Sequence, residues 1–599
     1  MYLSRIGIQN FRNFSNLDVS LSGDIVIVGE NRVGKSNFLY ALRLLFDPSL
    51  PDSARQLGIA DFWEGVDQPK LDDKIVIEVE IKEFDRDEDT LALFTDFRLD
   101  DDPDTVRLTY EFRPPAGLED EPSNADDYEF ICFGGESETK KFGHDVRRRI
   151  TLDLLPALRD AEGDLATWRR SPLRPLIEDA FSGVDQTELE EVSQAIEAAT
   201  NQLTDFAAVN TLEQSIETLF VEMSGASQNI EPRLGLTPIA ATRLYRNIKL
   251  LIDGGTRGIH DASLGSANLV FLTLKALGLQ RLIAENRRDH TFLAIEEPEA
   301  HLHPHLQRSV YRHLFENAAA SGDQRPLSVL LTTHSPHIAS VAPLRSLLLL
   351  KETAEDGTRG YSTATLELDT REVDDLARYL DVTRAEMLFA RGVILVEGDA
   401  ERFLIPRFAA VLDHSFDKLG ITVCSVAGTN FLPYVKFLSA LSIPFAVLTD
   451  WDPRGDDKVP YGYNRMMKLV KTIEEIRTGK DQKYLVKRLD ELNSYADFEQ
   501  ECREFGVFTN DHTLEVDLFR DDFGPAILET LREHPWSAAR KATIDGWAAE
   551  PGSLDIEAYL KMIERIGKGR FAQRLSTRID ELEPPSFIAA VIEHVVDRV

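Results

Sequence analysis

The sequence predicts an α/β chain of two domains, the first interrupted by a helical insertion, and three observations carry that prediction. An apolar run, Ile25-Val26-Ile27-Val28, enters a glycine-rich loop and then a helical pattern from about Lys35. A new αβ run begins at Val393, after a loop around Glu352 to Arg359 and a predicted strand over Thr363 to Leu368. Between the two, residues from about 150 to 230 carry apolar positions at helical spacing, clearest from Leu189 to Met223. At 599 residues the chain exceeds one ordinary core. The boundaries that follow are 1–375 for the first domain, with the insertion at about 150–235, and 385–599 for the second.

Within the first domain, Tyr2 to Val28 suggests short strands. Lys74 to Phe84 and Val106 to Phe112 alternate as strands separated by acidic loops such as Asp100 to Asp104. Leu264 to Ser340 supplies a second αβ segment.

Composition bounds the function. A hydrophobic share of 43% and a charged share of 28% belong to a soluble globular chain, and no run of eighteen apolar residues predicts a membrane span. Met1 to Ile6 shows no signal-peptide pattern, so a cytoplasmic location is expected. Cys132, Cys424 and Cys502 are too widely spaced for a zinc site or a disulfide framework. A net charge of −35 excludes coating nucleic acid by bulk electrostatics. DNA contact must be local, with candidates at Arg147-Arg148-Arg149, Trp168-Arg169-Arg170, Arg243 to Lys249 and Lys561 to Arg570.

Gly29 to Ser36 fits G-x4-G-K-[ST] and stands where that loop works, between a strand and a helix. Backbone N–H groups across Asn31, Arg32, Gly34 and Asn37 face phosphates, Lys35 offsets charge on the β- and γ-phosphates of ATP, and Ser36 ligates Mg²⁺. Downstream, the apolar strand Phe292 to Ile295 delivers Glu296 and Glu297, one to hold Mg²⁺ and one to polarise water. Ser263 and Gly265 precede an apolar helix and resemble a degenerate ABC signature loop, with Leu264 where a glycine is common. His334 follows the strand Leu330 to Thr332 as a switch histidine does. These four elements in order predict an ABC-type ATPase head, compact because no long heptad run separates its halves. His301 and His303 follow the Glu-Pro-Glu turn and are assigned no metal.

In the second domain, one apolar strand ends in Glu397, followed by Gly398 and a helix bearing Glu401. Another ends in Asp450-Trp451-Asp452. Carboxylates at the C-terminal ends of parallel strands converge on one crevice, and a crowd of hard oxygen ligands selects Mg²⁺ or Mn²⁺. An ordinary αβ domain with acidic loop ends also satisfies this pattern. Glu515 adds a further candidate ligand and Lys568, in Gly567-Lys568-Gly569, a candidate cation.

Strand-Glu-Gly followed by strand-Asp-x-Asp resembles the Toprim domain, a Rossmann-like fold. An ABC head followed by Toprim is similar to the OLD (overcoming lysogenization defect) nucleases, a family that includes the nuclease subunit of the Gabija defence system. The resemblance covers nearly the whole chain. It implies a helical dimerisation insertion, a homodimer acting on DNA, metal ligation by Glu397, Glu401, Asp450 and Asp452, transition-state support from Lys568, and a helicase-like partner protein. The activity it implies is an ATP-responsive, divalent-metal-dependent DNA endonuclease of phage defence or DNA repair. The rival is a non-cutting DNA-clamp or signalling ATPase whose Toprim domain only binds metal.

Overall fold

A computed structural model of the chain describes all residues except 67–68, 86–87, 119, 123, 158–159, 204, 225–233, 235–243, 321–326, 354–355, 380–381, 455–457 and 493. The chain divides into two compact units, 1–157 with 289–299 and 304–599, and 158–288 with 300–303.

The strands in chain order begin with β1 (Tyr2–Phe11), β2 (Phe14–Ser20), β3 (Ile25–Gly29), β4 (Ile75–Lys82), β5 (Val106–Arg113), β6 (Glu129–Gly134) and β7 (Ile150–Leu155). They continue with β8 (Leu251–Ile252), β9 (Arg257–Gly258), β10 (His290–Glu296), β11 (Leu327–Thr332), β12 (Leu347–Thr353) and β13 (Gly357–Ser362). The last four are β14 (Gly392–Val396), β15 (Ile421–Ser425), β16 (Phe445–Thr449) and β17 (Val507–Thr509).

In the first unit, one mixed sheet runs β6-β5-β4-β1-β2-β13-β12-β3-β11-β10-β7. Its half from β12 to β7 is parallel, with β3 between β12 and β11, and the rest is antiparallel. β3 is buried along its whole length, which is why it appears in the sequence as an unbroken apolar run. The helix Lys35–Phe46 lays Phe38, Leu42 and Phe46 into the core, with Phe46 ring to ring with Phe292 at 5.2 Å. Each such aromatic contributes about 1.5–3 kcal/mol on burial.

Three expectations change here. β7 occupies residues expected to begin the helical stretch, because it pairs in parallel with β10 as a short, mostly buried edge strand. The strand expected over Thr363 to Leu368 lies instead at Gly357–Ser362, closing an antiparallel hairpin with β12 through Gly357 at φ +67. Two arginines proposed for DNA are used internally: Arg147 is buried and donates to Leu45 O at 3.0 Å, and Arg149 pairs with Asp289 at 2.6 Å.

A second sheet in the same unit, β15-β14-β16-β17, is wholly parallel. Helix Asp399–Val411 packs on β15, and helix Ser586–Val596 packs on β14, β16 and β17. The two sheets meet through Arg391, one residue before β14, whose guanidinium pairs with Glu30 at 2.7 Å, and through Lys351 Nζ donating to Ser442 O at 2.9 Å. A cleft of about 1140 Å³ lies there, lined by Gly29, Glu30, His334, Lys351 and Arg391 among others. Burial pushes Lys351 down to about 8.

The second unit is mainly helical, with helices at Ala161–Ala166, Leu173–Ala180, Gln186–Asn201, Ala207–Ser224 and Leu264–Ala284, and β8 and β9 form a small ribbon. Arg243, one of the proposed DNA contacts, lies outside the described residues, as do 158–159, 204, 225–233 and 235 of the predicted insertion. The Leu264–Ala284 helix is long and apolar enough to cross a membrane by length and composition alone. In this unit it packs on the helices Ala161–Ala166 and Leu173–Ala180, and Arg281 pairs with Asp179 at 2.6 Å.

Candidate functional site

The P-loop glycines are explained by backbone geometry. A Cβ on Gly29, which sits at φ +152, would lie 2.5 Å from Leu350 O, so only glycine lets β3 turn into the loop beside β12. Gly34 caps the helix Lys35–Phe46 at φ +89, close against Asn13. Lys35 is buried and its Nζ donates to Gly29 O at 3.0 Å and Glu30 O at 2.8 Å. Burial lowers its pKa, while Glu297 and Glu299 oppose that shift. Ser36 is exposed in the first helical turn. Asn37 Oδ1 accepts from Arg12 at 2.8 Å, its amide donates to Asn13 Oδ1, and Asn13 Nδ2 donates to Arg32 O at 3.1 Å. Asn31 and Arg32 are exposed, with Arg32 in the left-handed region at φ +72.

Glu296 ends β10. Glu297 follows at φ +42, and its N–H donates to Thr332 O at 3.0 Å, which fastens the acidic turn to β11. His334, just beyond β11, has its pKa lowered by burial and then by the charge of Lys35. The structure thus gathers Lys35, Glu297 and His334 into one electrostatic neighbourhood at the ends of β3, β10 and β11. Ser263 and Gly265 belong to the second unit. There the Ser263 hydroxyl caps the helix Leu264–Ala284 by accepting from Ser266 N at 3.2 Å. A Cβ on Gly265 would lie 2.4 Å from His301 O, so the loop presses on the turn 300–303 of its own unit.

In the second sheet, β14 and β16 are neighbours and lead directly into Glu397 and Asp450, while β17 leads to Glu515 on the helix Leu514–Arg520. Glu397 Oε1 accepts from Thr449 Oγ1 at 2.5 Å and from Asp450 N at 2.9 Å. Asp450 Oδ1 accepts from Asn510 Nδ2 at 2.6 Å and Leu514 N at 3.1 Å. Glu401, in the first turn of helix Asp399–Val411, is buried. Burial, reinforced by Glu515 and Glu397, pushes its carboxyl up to about 7, against the opposing effect of a backbone hydrogen bond. Asp450 is raised well above the carboxylate range by burial and then by Glu397 and Glu401. Lys568 Nζ lies 3.2 Å from Glu515 Oε1, and the surrounding carboxylates outweigh its burial and raise its pKa. Gly569 lets this segment approach: a Cβ there would already sit 3.1 Å from Asp399 Cβ.

The sheet therefore brings Glu397, Glu401, Asp450 and Glu515 into mutual electrostatic contact beside Lys568. Asp452 stands one step away, held by Arg465 at 2.8 Å. Among the described residues, no three His, Cys, Asp or Glu side chains are drawn into a closed ligand shell.

The family model described as "AAA domain, putative AbiEii toxin, Type IV TA system" matches residues 25–340, and that described as "Overcoming lysogenization defect protein-like, TOPRIM domain" matches residues 388–452. The chain belongs to the OLD family. It is 23% identical over 570 residues to Endonuclease GajA of Bacillus cereus, covering 89% of this chain and 91% of that one. It is 26% identical over 469 residues to the OLD nuclease of Thermus scotoductus, covering 75% and 82%. The C-terminal region of the Burkholderia pseudomallei OLD protein is a solved structure 41% identical to this chain, with a TM-score of 0.30, covering 35% of this chain and 98% of that one.

In this OLD-family chain, several polar residues at the two sites have no sequence signature. Glu299 accepts from Thr333 Oγ1 at 2.8 Å and from His334 N at 2.6 Å, which joins the acidic turn to the histidine loop. Arg12 and Asn13 reach the P-loop from the β1–β2 turn. Thr449, Arg465 and Asn510 hold the Toprim carboxylates. All of these are placed by tertiary contacts alone.

Proposed function

We propose that this chain is an ATP-responsive, divalent-metal-dependent DNA endonuclease acting as a homodimer, with cutting at the Toprim carboxylates, in defence against phage or in DNA repair. The observation that carries the reading is the set of carboxylates that follow β14, β16 and β17, with the pKa values of Glu401 and Asp450 raised, beside the Lys568 ammonium. Oxygen donors that crowd their negative charge fit Mg²⁺ or Mn²⁺, held by Glu397, Glu401, Asp450, Asp452 and Glu515. Bound there, a divalent cation supplies an activated water and charge neutralisation for phosphodiester hydrolysis. Asn510, Leu514 N and Thr449 fix the carboxylate orientations. Lys568, positioned by Glu515, offers positive charge to the phosphate oxygens as they become more negative.

In the head, 1–375, Asn31, Arg32, Gly34, Lys35, Ser36 and Asn37 cradle the phosphates of ATP. Ser36 and Glu296 hold its Mg²⁺, Glu297 polarises water, His334 acts as the switch residue, and Ser263 and Gly265 serve as a signature loop for the γ-phosphate bound by a second subunit. Responsiveness to ATP is supported by the Glu30–Arg391 pair, which links a P-loop residue directly to the start of β14. A homodimer is supported by the insertion, where Leu212, Ile216, Leu219 and Met223 form an exposed apolar stripe along the helix Ala207–Ser224. A helicase-like partner protein is part of the same proposal. Incubating the protein with supercoiled plasmid tests it: nicked or linear product with Mg²⁺ or Mn²⁺ and none in EDTA is expected. Intact plasmid with either metal would favour a non-cutting ATPase.

A further inference from the structure

Arg465 was marked by no motif, yet it touches more of the Toprim acidic edge than any residue assigned to it. It lies in the helix Tyr461–Thr478, with its side chain 17% exposed. Its Nε donates to Thr449 Oγ1 at 2.9 Å. The Nη2 nitrogen donates to Asp452 Oδ2 at 2.8 Å and to the carbonyl of Asp450, and lies 3.4 Å from Glu397 Oε1. Thr449 in turn donates to Glu397. One guanidinium thus spans the ends of both metal-site strands.

Two further features show that the fold is built for this contact. Asp452 sits in the left-handed region at φ +50, which aspartate adopts more readily than most residues with a side chain. Its backbone is tied at both ends, N–H to His512 O at 3.1 Å and carbonyl from Tyr461 N at 3.2 Å. Gly462 is the second feature: a Cβ there would lie 2.6 Å from Asp450 O and 2.8 Å from Trp451 Cα. Glycine at that position lets the helix bearing Arg465 rest directly on the Asp450–Asp452 turn.

We propose that Arg465 is a positioning residue for the metal site, whose planar fork fixes Thr449, Asp452 and Glu397 in the geometry that receives a divalent cation. It lies on the opposite side of the site's charge logic from Lys568. Lys568 pairs with Glu515 and faces the buried carboxylates, whereas Arg465 fixes the strand ends and the more exposed Asp452. Loss of an outer residue that orients metal ligands weakens metal binding on the order of 10- to 100-fold. A lysine cannot reproduce a fork that donates to a hydroxyl, a carbonyl and a carboxylate together.

This inference rests on the metal reading proposed above, and the test separates the two. Mn²⁺ binding by the full chain is measured by calorimetry for wild type, Arg465→Ala, Arg465→Lys, Asp452→Ala and the Arg465→Ala/Asp452→Ala pair. DNA affinity in EDTA and ATP turnover are followed in parallel. Arg465→Ala is expected to weaken Mn²⁺ binding about 10- to 100-fold, Arg465→Lys to recover only part, and the double variant to fall short of the two losses combined. ATP turnover and DNA affinity should stay within about twofold, which also reports that the variants fold. Wild-type Mn²⁺ binding with an unchanged Arg465→Ala isotherm would overturn the inference alone. So would full recovery in Arg465→Lys, or a loss confined to DNA affinity, which would make Arg465 a substrate contact. Absence of Mn²⁺ binding by wild type would overturn the metal reading and this inference with it.

Discussion

Glu401 offers a test in which stability and metal binding move in opposite directions. Its carboxyl is 8% exposed and held at about 7 against an ordinary 4.5 by burial, with Glu515 and Glu397 adding to the effect. That gap, at about 1.4 kcal/mol for each pH unit, corresponds to about 3 kcal/mol. Because the folded-state value is raised, the stability associated with this group is fully present below about pH 4.5. It is lost as pH rises through about 7, where the folded chain must ionise a buried carboxyl. Glu401→Gln keeps the shape and removes the charge. In EDTA at pH 8 the variant should therefore be more stable than wild type by up to about 3 kcal/mol, with the gain shrinking to below about 1 kcal/mol near pH 4.5. Adding Mn²⁺ at pH 8 should narrow or reverse the difference, since wild type gains a ligand that binds its folded state. Denaturant unfolding followed through the buried Trp536 and Trp547 of this domain reads the effect. A variant no more stable than wild type at pH 8, or a gain of equal size at both pH values, would refute the reasoning.

Lys35→Ala should abolish ATP hydrolysis, because the loop loses its buried ammonium, and steady-state turnover at the wild-type rate would remove Lys35 from the site. Glu297→Gln should bind ATP yet fail to hydrolyse it, as measured by nucleotide affinity beside phosphate release; lost binding would instead mark Glu297 as structural. Lys568→Ala should bind DNA and metal nearly as wild type but cut about a hundredfold more slowly in single-turnover cleavage, with Lys568→Arg recovering only part. Unchanged cleavage, or a loss explained by weaker DNA binding, would return Lys568 to a plain partner of Glu515.

What the sequence disclosed follows from where the physics is local. Buried parallel strands such as β3, β14 and β16 are unbroken apolar runs, and their functional residues sit at the next position along the chain. Gly29, Lys35, Glu397 and Asp450 were therefore visible. β7 was not, because a six-residue buried strand has no periodicity that separates it from a helical segment. The strand Gly357–Ser362 was hidden by its own composition, since Gly360 packs where a side chain would meet Val19 and Leu17. Arg465, Asn510 and Thr449 act on carboxylates 52 to 68 residues away in sequence, and such a polar residue carries no mark of the partner it will meet. Glu401 was placed by its one-turn offset from Glu397, but the depth of its burial, which sets its proton affinity, emerges only from the packed domain.

On the proposed function, DNA is cut at the carboxylates following β14 and β16 while ATP is turned over at a separate site in the head. Asp450→Ala, assayed on supercoiled plasmid with Mn²⁺ and for phosphate release from ATP in the same preparation, tests it most directly. Plasmid left uncut with ATP turnover within about twofold of wild type is the expected result. Plasmid cut by the variant at the wild-type rate would contradict it.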